Sequence, residues 1–364
     1  MSDTAATLAD LVRRPSVNPM GRDVSGPEYL EGRVTDYLVQ RFTAADIPWA
    51  RQAVAPGRDN VVARLEATVP DAPVILWDAH QDTVPAEGMT IEPFTPLVRD
   101  GRLFGRGACD VKGGMAAMLV ALDRLRCSGL PRRATVVFSA TVNEEFGFTG
   151  ARALARLWTP AASAGDGPAR ALCPVRPVAA IVAEPTGLDL VMQHKGAVRW
   201  RIRVRGRACH SAFPEQGVNA IYPAGRAVIA LESLAAELLG RRADHPCGPP
   251  TLNLGTIHGG AGVNLVPDLV VLEVERRVVP GESPVAARDE AIARVAAACG
   301  AAAVEHDPPF LESAGLPDAA ADPIAAPWIA ALTAAARAGG AAARRTAARY
   351  GTNASVFAEA GVPS

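Results

Sequence analysis

The stretch Val74-Ile75-Leu76-Trp77-Asp78-Ala79-His80-Gln81-Asp82 decides the fold. Residues 74–79 are a short, mostly apolar run with the length and composition of a buried strand. His80 and Asp82 follow at once, two residues apart at a strand end, so they point to the same side. Downstream, residues 113–127 place Met115, Met118, Leu119, Leu122 and Leu125 at helical spacing and stop at Gly129 and Pro131. Residues 134–141 and 178–183 are further β-rich apolar runs, with 152–177 expected as a looser connection between them. Upstream lie two amphipathic stretches, 4–14 and 27–44, and an apolar run at 60–65. Strands alternating with helices predict an α/β fold, a mostly parallel twisted sheet with flanking helices.

From about Gly196 the pattern changes. Residues 198–205 alternate, 219–239 read as a long helix, 251–257 and 269–279 as strands, and 284–299 as a helix. That order predicts a small α+β sandwich inserted into the larger domain, with 308–327 as the return linker and 326–338 resuming helix. The expected division is 1–194 with 308–364 for the first domain and 195–307 for the inserted one. A chain of 364 residues is long enough for two cores.

The 37 basic and 38 acidic residues nearly balance, which supplies no electrostatic footprint for nucleic acid or an anionic membrane. The partner expected is a small molecule. The six cysteines form no Cys-x-x-Cys pair, so neither a zinc knuckle nor a disulfide framework is indicated. Residues 1–19 lack an apolar run preceded by positive charge, and no stretch approaches the ~20 apolar residues that span a bilayer. A soluble, cytoplasmic protein is the expectation.

The chemistry-bearing groups gather at strand ends. His80 and Asp82 close the first strand; Asp110 lies in Gly105-Arg106-Gly107-Ala108-Cys109-Asp110, a glycine-rich turn before the helix; Glu144 and Glu145 follow the strand at 134–141; Glu184 follows the one at 178–183. Each has an ordinary reading: a satisfied polar pair, a helix-capping aspartate, solvated loop glutamates. Together they sit where the carboxyl ends of an open α/β sheet form one crevice. Carboxylates crowded there repel one another unless cations neutralise them. Histidine and carboxylates without thiolate suit zinc, cobalt or manganese.

On these strings the chain resembles the metallopeptidase family that contains acetylornithine deacetylase, succinyl-diaminopimelate desuccinylase, aminoacylases and glutamate carboxypeptidase. The resemblance implies two divalent metal ions, His80 and Glu184 holding one, Glu145 the other, and Asp110 bridging. It implies that Asp82 orients His80, that Glu144 is the general base, and that a non-proline cis bond follows Asp110. In the later part, His194-Lys195-Gly196, the string Cys209-His210-Ser211-Ala212-Phe213-Pro214, the glycine-rich loop 259–267 and Glu275-Arg276-Arg277 also match. They imply a homodimer in which His210 serves the partner's oxyanion, with Arg277 receiving a substrate carboxylate and Asn264 in the substrate loop.

The activity implied is amide hydrolysis of N-acyl amino acids. A dipeptidase or carboxypeptidase acting on short peptides is the alternative, and a non-catalytic metal-binding homologue is the alternative of another class. The departures are Asn353, where the family usually has aspartate, and the family's last segment, a strand, a Gly-Pro-Gly turn and a histidine ligand. The six histidines are His80, His194, His210, His245, His258 and His306, so that ligand is absent from the sequence. The expectation from this is a truncated chain with an impaired second metal position.

Overall fold

The computed structural model describes residues 2–159 and 166–364. The chain divides into two compact units. The first is Met1–Leu190 with Ala319–Arg345 and Thr352–Ser364; the second is Val191–Asp318 with Thr346–Gly351.

In the first unit, strands β1 (Trp49–Ala55), β2 (Arg58–Leu65), β3 (Val74–His80), β4 (Thr135–Thr141) and β5 (Ala179–Val182) lie in the order β1-β2-β4-β3-β5. The sheet is mixed. β3 runs parallel to both β4 and β5, whereas β1 with β2 and β2 with β4 are antiparallel. The antiparallel part arises because Gly57, at φ 72°, turns β1 straight back into β2. β4, the central strand, is buried along its whole length, as its run of branched and aromatic residues dictates. Its alternate residues Val136, Phe138 and Ala140 join one core with α1 (Asp3–Val12), α2 (Gly32–Ala44) and α3 (Lys112–Cys127) through Leu11, Phe42 and Leu119. Phe42 meets the Phe138 ring edge-on, with centroids 5.6 Å apart.

On the opposite face, Ser139 and Thr141 both bond to Asp78 of β3. That carboxyl also accepts from Asn353 at the start of α9 (Asn353–Glu359), at 2.9 Å. Burial raises the Asp78 carboxyl to about 6 against these bonds. The stretch 152–177, expected as a loose connection, contains the end of α4 (Thr149–Ala155) and a short α5 (Gly167–Leu172); its residues 160–165 lie outside those described.

The second unit holds an antiparallel sheet of β6 (Gly196–Arg205), β7 (Thr251–Gly259), β8 (Leu269–Val278) and β9 (Ala303–His306), in the order β7-β8-β6-β9. Along β6 the residues alternate by face. Val198, Trp200, Ile202 and Val204 pack beneath α6 (Ile221–Gly240) and α7 (Pro284–Cys299). Arg199, Arg201, Arg203 and Arg205 line the other face, paired with Glu275, Glu273, Asp307 and Glu305 at 2.6–2.9 Å. The register places Arg199 opposite Glu275 and Arg201 opposite Glu273, so each pair is cross-strand. Helix α8 (Ala325–Ala338) returns the chain to the first unit.

Candidate metal centre

Strand register assembles the site. In the parallel ladders His80 stands opposite Thr141, and Asp78 stands opposite Val182. His80 is therefore level with the residue two beyond Val182, which is Glu184, and three residues short of Glu144. Asp110 arrives from the turn before α3, where the Asp110–Val111 bond is cis, as the resemblance implied. Gly107 permits that turn: its φ is 78°, and a side chain there would meet the Thr83 methyl at 2.7 Å.

His80, Asp110 and Glu184 each turn a ligand atom into a space where these atoms lie within 4.8 Å of one another. His80 Nε2 stands 3.0 Å from Asp110 Oδ1. Of the four candidate ligands the structure thus gathers three into one cluster. The fourth, Glu145, is the immediate neighbour of Glu144 and lies within electrostatic reach of His80, Asp110 and Asp82.

One expected contact is made differently. His80 Nδ1 bonds the backbone carbonyl of Asp82 at 2.9 Å, and the Asp82 carboxylate stands farther off, at 3.7 Å. That carboxylate is taken up by the amides of Glu144 and Glu145, at 3.0 and 3.1 Å, and by Asn18 Nδ2 at 2.7 Å. The imidazole tautomer is accordingly set by main chain, while Asp82 gathers the glutamate turn.

The electrostatics are those of too many acids in too little water. Burial, then the negative charge of Asp110 and Asp82, carries Glu145 to about 7; burial, then Asp110 and Glu145, carries Glu184 to about 8. Glu144 is pushed well above the carboxylate range by burial and by Glu184 and Glu145, with His80 opposing. Burial disfavours the His80 imidazolium, yet the Asp110 bond and the charges of Glu144, Asp82 and Glu184 outweigh it and raise that group well above its ordinary value. Carboxyls that must keep protons to coexist are carboxyls a cation would satisfy. The donor set of one imidazole and several carboxylate oxygens fits a divalent metal.

Behind the site stands a buried polar lattice that sequence reasoning missed. Asn18, Glu31, Arg58 and Asn143 bond to one another and to Asp82. No local pattern marks them, since they come from four separate segments. Lys112, one of only two lysines in the chain, opens α3 and donates to the carbonyls of Leu11 and Arg14 at 3.1 and 2.7 Å.

The remaining candidates belong to the second unit. His210 is exposed, bridges to Leu265 by backbone and accepts from Ala212 N at 3.1 Å. Asn264 is exposed and accepts Ser211 N at its carbonyl, 3.0 Å away. Arg277 is half-buried and paired with Glu275 at 2.9 Å, and Glu275 also holds Arg199. Its guanidinium is already engaged in this structure.

Comparison with known proteins agrees with this architecture. The profile of peptidase family M20/M25/M40 matches residues 76–364. An acetylornithine deacetylase of Myxococcus xanthus is 35% identical over 255 residues, which is 68% of this chain and 62% of that protein. The match thus spans less than two thirds of that relative. Among solved structures, a tripeptidase from Staphylococcus aureus superposes with a TM-score of 0.70 at 21% identity, covering 100% of this chain and 88% of the other. A metallo-carboxypeptidase from Sulfolobus solfataricus gives 0.72 at 14%, covering 100% and 90%. These two establish the shared fold. A family match over residues 76–364, the stretch that supplies His80, Asp110, Glu144, Glu145 and Glu184, makes this chain a member of the peptidase family M20/M25/M40.

Proposed function

We propose that the chain is a metal-dependent amidohydrolase that removes the acyl group from N-acyl amino acids. The observation that carries the reading is the convergence of His80, Asp110 and Glu184 beside Glu144, a buried acid with raised proton affinity. His80 and Glu184 would hold one divalent ion and Glu145 a second, with Asp110 between them. Zinc suits the donors best, and cobalt or manganese would take the same positions. Such ions supply positive charge that polarises an amide carbonyl and lowers the pKa of water.

The protein's own work is proton handling and orientation. Glu144 takes the proton of the attacking water and returns it to the leaving amine, for which a carboxyl whose proton affinity is raised by burial is suited. Asp82 holds the amides of Glu144 and Glu145, and so holds base and ligand in one geometry. His210 of a second copy would donate to the developing oxyanion. Arg277 would exchange Glu275 for a substrate carboxylate, a planar fork suited to that group, and Asn264 would lie in the substrate loop.

A homodimer is the assembly this implies. It is supported by apolar side chains left in water on the second unit, Tyr222 (70% exposed) and Ile229 (63%) on α6 and Ile257 (54%) on β7, which is an edge strand. No helix among the described residues is long and apolar enough to cross a membrane.

The test is turnover of purified, zinc-loaded protein on N-acetyl and N-succinyl amino acids set against dipeptides. Faster deacylation supports the reading, faster dipeptide cleavage replaces it with an exopeptidase, and metal binding without any turnover leaves only a metal-binding homologue.

A further inference from the structure

The lattice behind the glutamate turn takes no part in the chemistry just described, yet it converges on one residue. Asn143 immediately precedes Glu144 and Glu145 and stands in the left-handed region, at φ 60°, a conformation that asparagine tolerates when its polar groups are anchored. Here they all are. Its amide donates to Glu31 Oε1 at 3.2 Å, and its carbonyl accepts from Gly147 and Phe148 at 3.1 and 2.8 Å. Its Oδ1 accepts from Asn18 Nδ2 and Arg58 Nη1, both at 2.9 Å, and its Nδ2 donates to Thr149 Oγ1 at 2.9 Å.

Two of these anchors form an ion pair. The Glu31 side chain is fully buried and that of Arg58 is 13% exposed. Arg58 grips Glu31 through Nε, at 3.0 Å to Oε2, and through Nη2 to Oε1, which leaves Nη1 for Asn143. A buried ion pair is a poor source of stability, because desolvating both charges consumes most of their attraction, and apolar residues of similar volume often serve as well. What the pair supplies is geometry. A guanidinium presents its donors in one rigid plane, so the same group that fixes Glu31 also fixes where Asn143 Oδ1 must be. Glu31 in turn fixes the Asn143 amide, closing a ring of bonds around the residue that aims the two catalytic-site glutamates.

We infer that Arg58, acting with Glu31 through Asn143, is a positioning residue that sets the orientation of Glu144 and Glu145. The inference rests on the assignment of those glutamates as base and metal ligand. Groups that orient ligands and catalytic side chains typically cost 10–100-fold in metal affinity or activity when lost, and that is the scale expected here.

The experiment compares wild type with Arg58→Lys and Arg58→Met by cobalt titration followed in the visible spectrum, by kcat and KM, and by thermal midpoint. Both variants should bind cobalt about tenfold more weakly and lose about 10–100-fold in kcat, with KM changed less than about twofold. Arg58→Lys keeps the charge and loses the fork, so its failure to restore function separates geometry from charge. Wild-type cobalt affinity and kcat in a folded Arg58→Met protein, even with a lowered midpoint, would assign the pair to stability alone and overturn the inference. If Arg58→Met does not fold, the double variant Glu31→Gln with Arg58→Met carries the same test. It leaves no buried charge unpaired and keeps the acceptor for the Asn143 amide. A wild type that takes no cobalt overturns the metal reading itself and this inference with it. A wild type that takes cobalt but hydrolyses nothing tried overturns only the activity, and the cobalt arm still decides the role of Arg58.

Discussion

Glu144 and Glu145 are adjacent in sequence but sit in different surroundings. Glu144 is the more deeply buried, Glu145 is partly buried, and the Asp82 carboxylate accepts from the amides of both. Changing Glu144 to glutamine keeps shape and hydrogen bonding while removing the proton acceptor. Turnover should fall about 10²–10⁴-fold, the usual worth of a general base, with metal content by elemental analysis unchanged. Loss of metal in parallel with activity would make Glu144 a ligand instead. A second prediction concerns protons. With Glu145 at about 7 and Glu184 at about 8, both carry protons at pH 6 and shed them by pH 9. Metal binding at pH 6 should therefore expel more protons, and be weaker, than at pH 9, where Glu145 and Glu184 have already shed theirs and the proton on His80 is the one still to be displaced. Calorimetry in two buffers of different ionisation enthalpy counts them directly; equal proton release at both pH values would contradict the crowded-acid account.

Helices α1 and α3 share an apolar core, and one long side chain adds polar contacts between them. Lys112 carries its ammonium to the carbonyls of Leu11 and Arg14 as α1 ends, while burial, together with Arg14, brings it down to about 7. Replacing it with methionine keeps the stem and removes the ammonium from both carbonyls, of which that of Leu11 still accepts from Arg14 N at 3.1 Å. A loss of about 1–3 kcal/mol in denaturant unfolding is expected, with an unchanged m-value; a neutral substitution would mean that the carbonyls find water or other donors. Elements of this kind were legible where their periodicity was strong. The runs at 74–79, 134–141 and 178–183 became β3, β4 and β5, and the helix at 284–299 has the expected bounds. β1 was missed because Trp49–Ala55 mixes arginine, glutamine and alanine on a hairpin and carries no apolar run. The glutamates and His80 could be read as a group because strand ends converge in this architecture. Glu31, Arg58 and Asn143 could not, because an ion pair between segments 27 residues apart is written in no local pattern.

For the chain as a whole, every group proposed to hold metal lies in the first unit, so metal and pH should act on that unit's unfolding. Without metal, Glu145 and Glu184 have folded pKa values raised from 4.5 to about 7 and about 8. The folded state then binds more protons than the unfolded one between these limits, and stability falls as pH rises. Their contribution is complete below about 4.5 and lost as pH passes through 7 and 8. Bound metal reverses the trend. A ligand at about 100 times its dissociation constant adds about 2.7 kcal/mol, and that addition grows with pH because protons no longer compete for the same oxygens. Scanning calorimetry at pH 6 and 8.5, with zinc and with chelator, should show the metal-induced rise in midpoint widening at pH 8.5. Where two transitions resolve, only one should respond, since a molecule of two units need not unfold in a single step. A rise of equal size at both pH values would separate metal binding from the raised glutamates, and a rise in both transitions would place a ligand in the second unit.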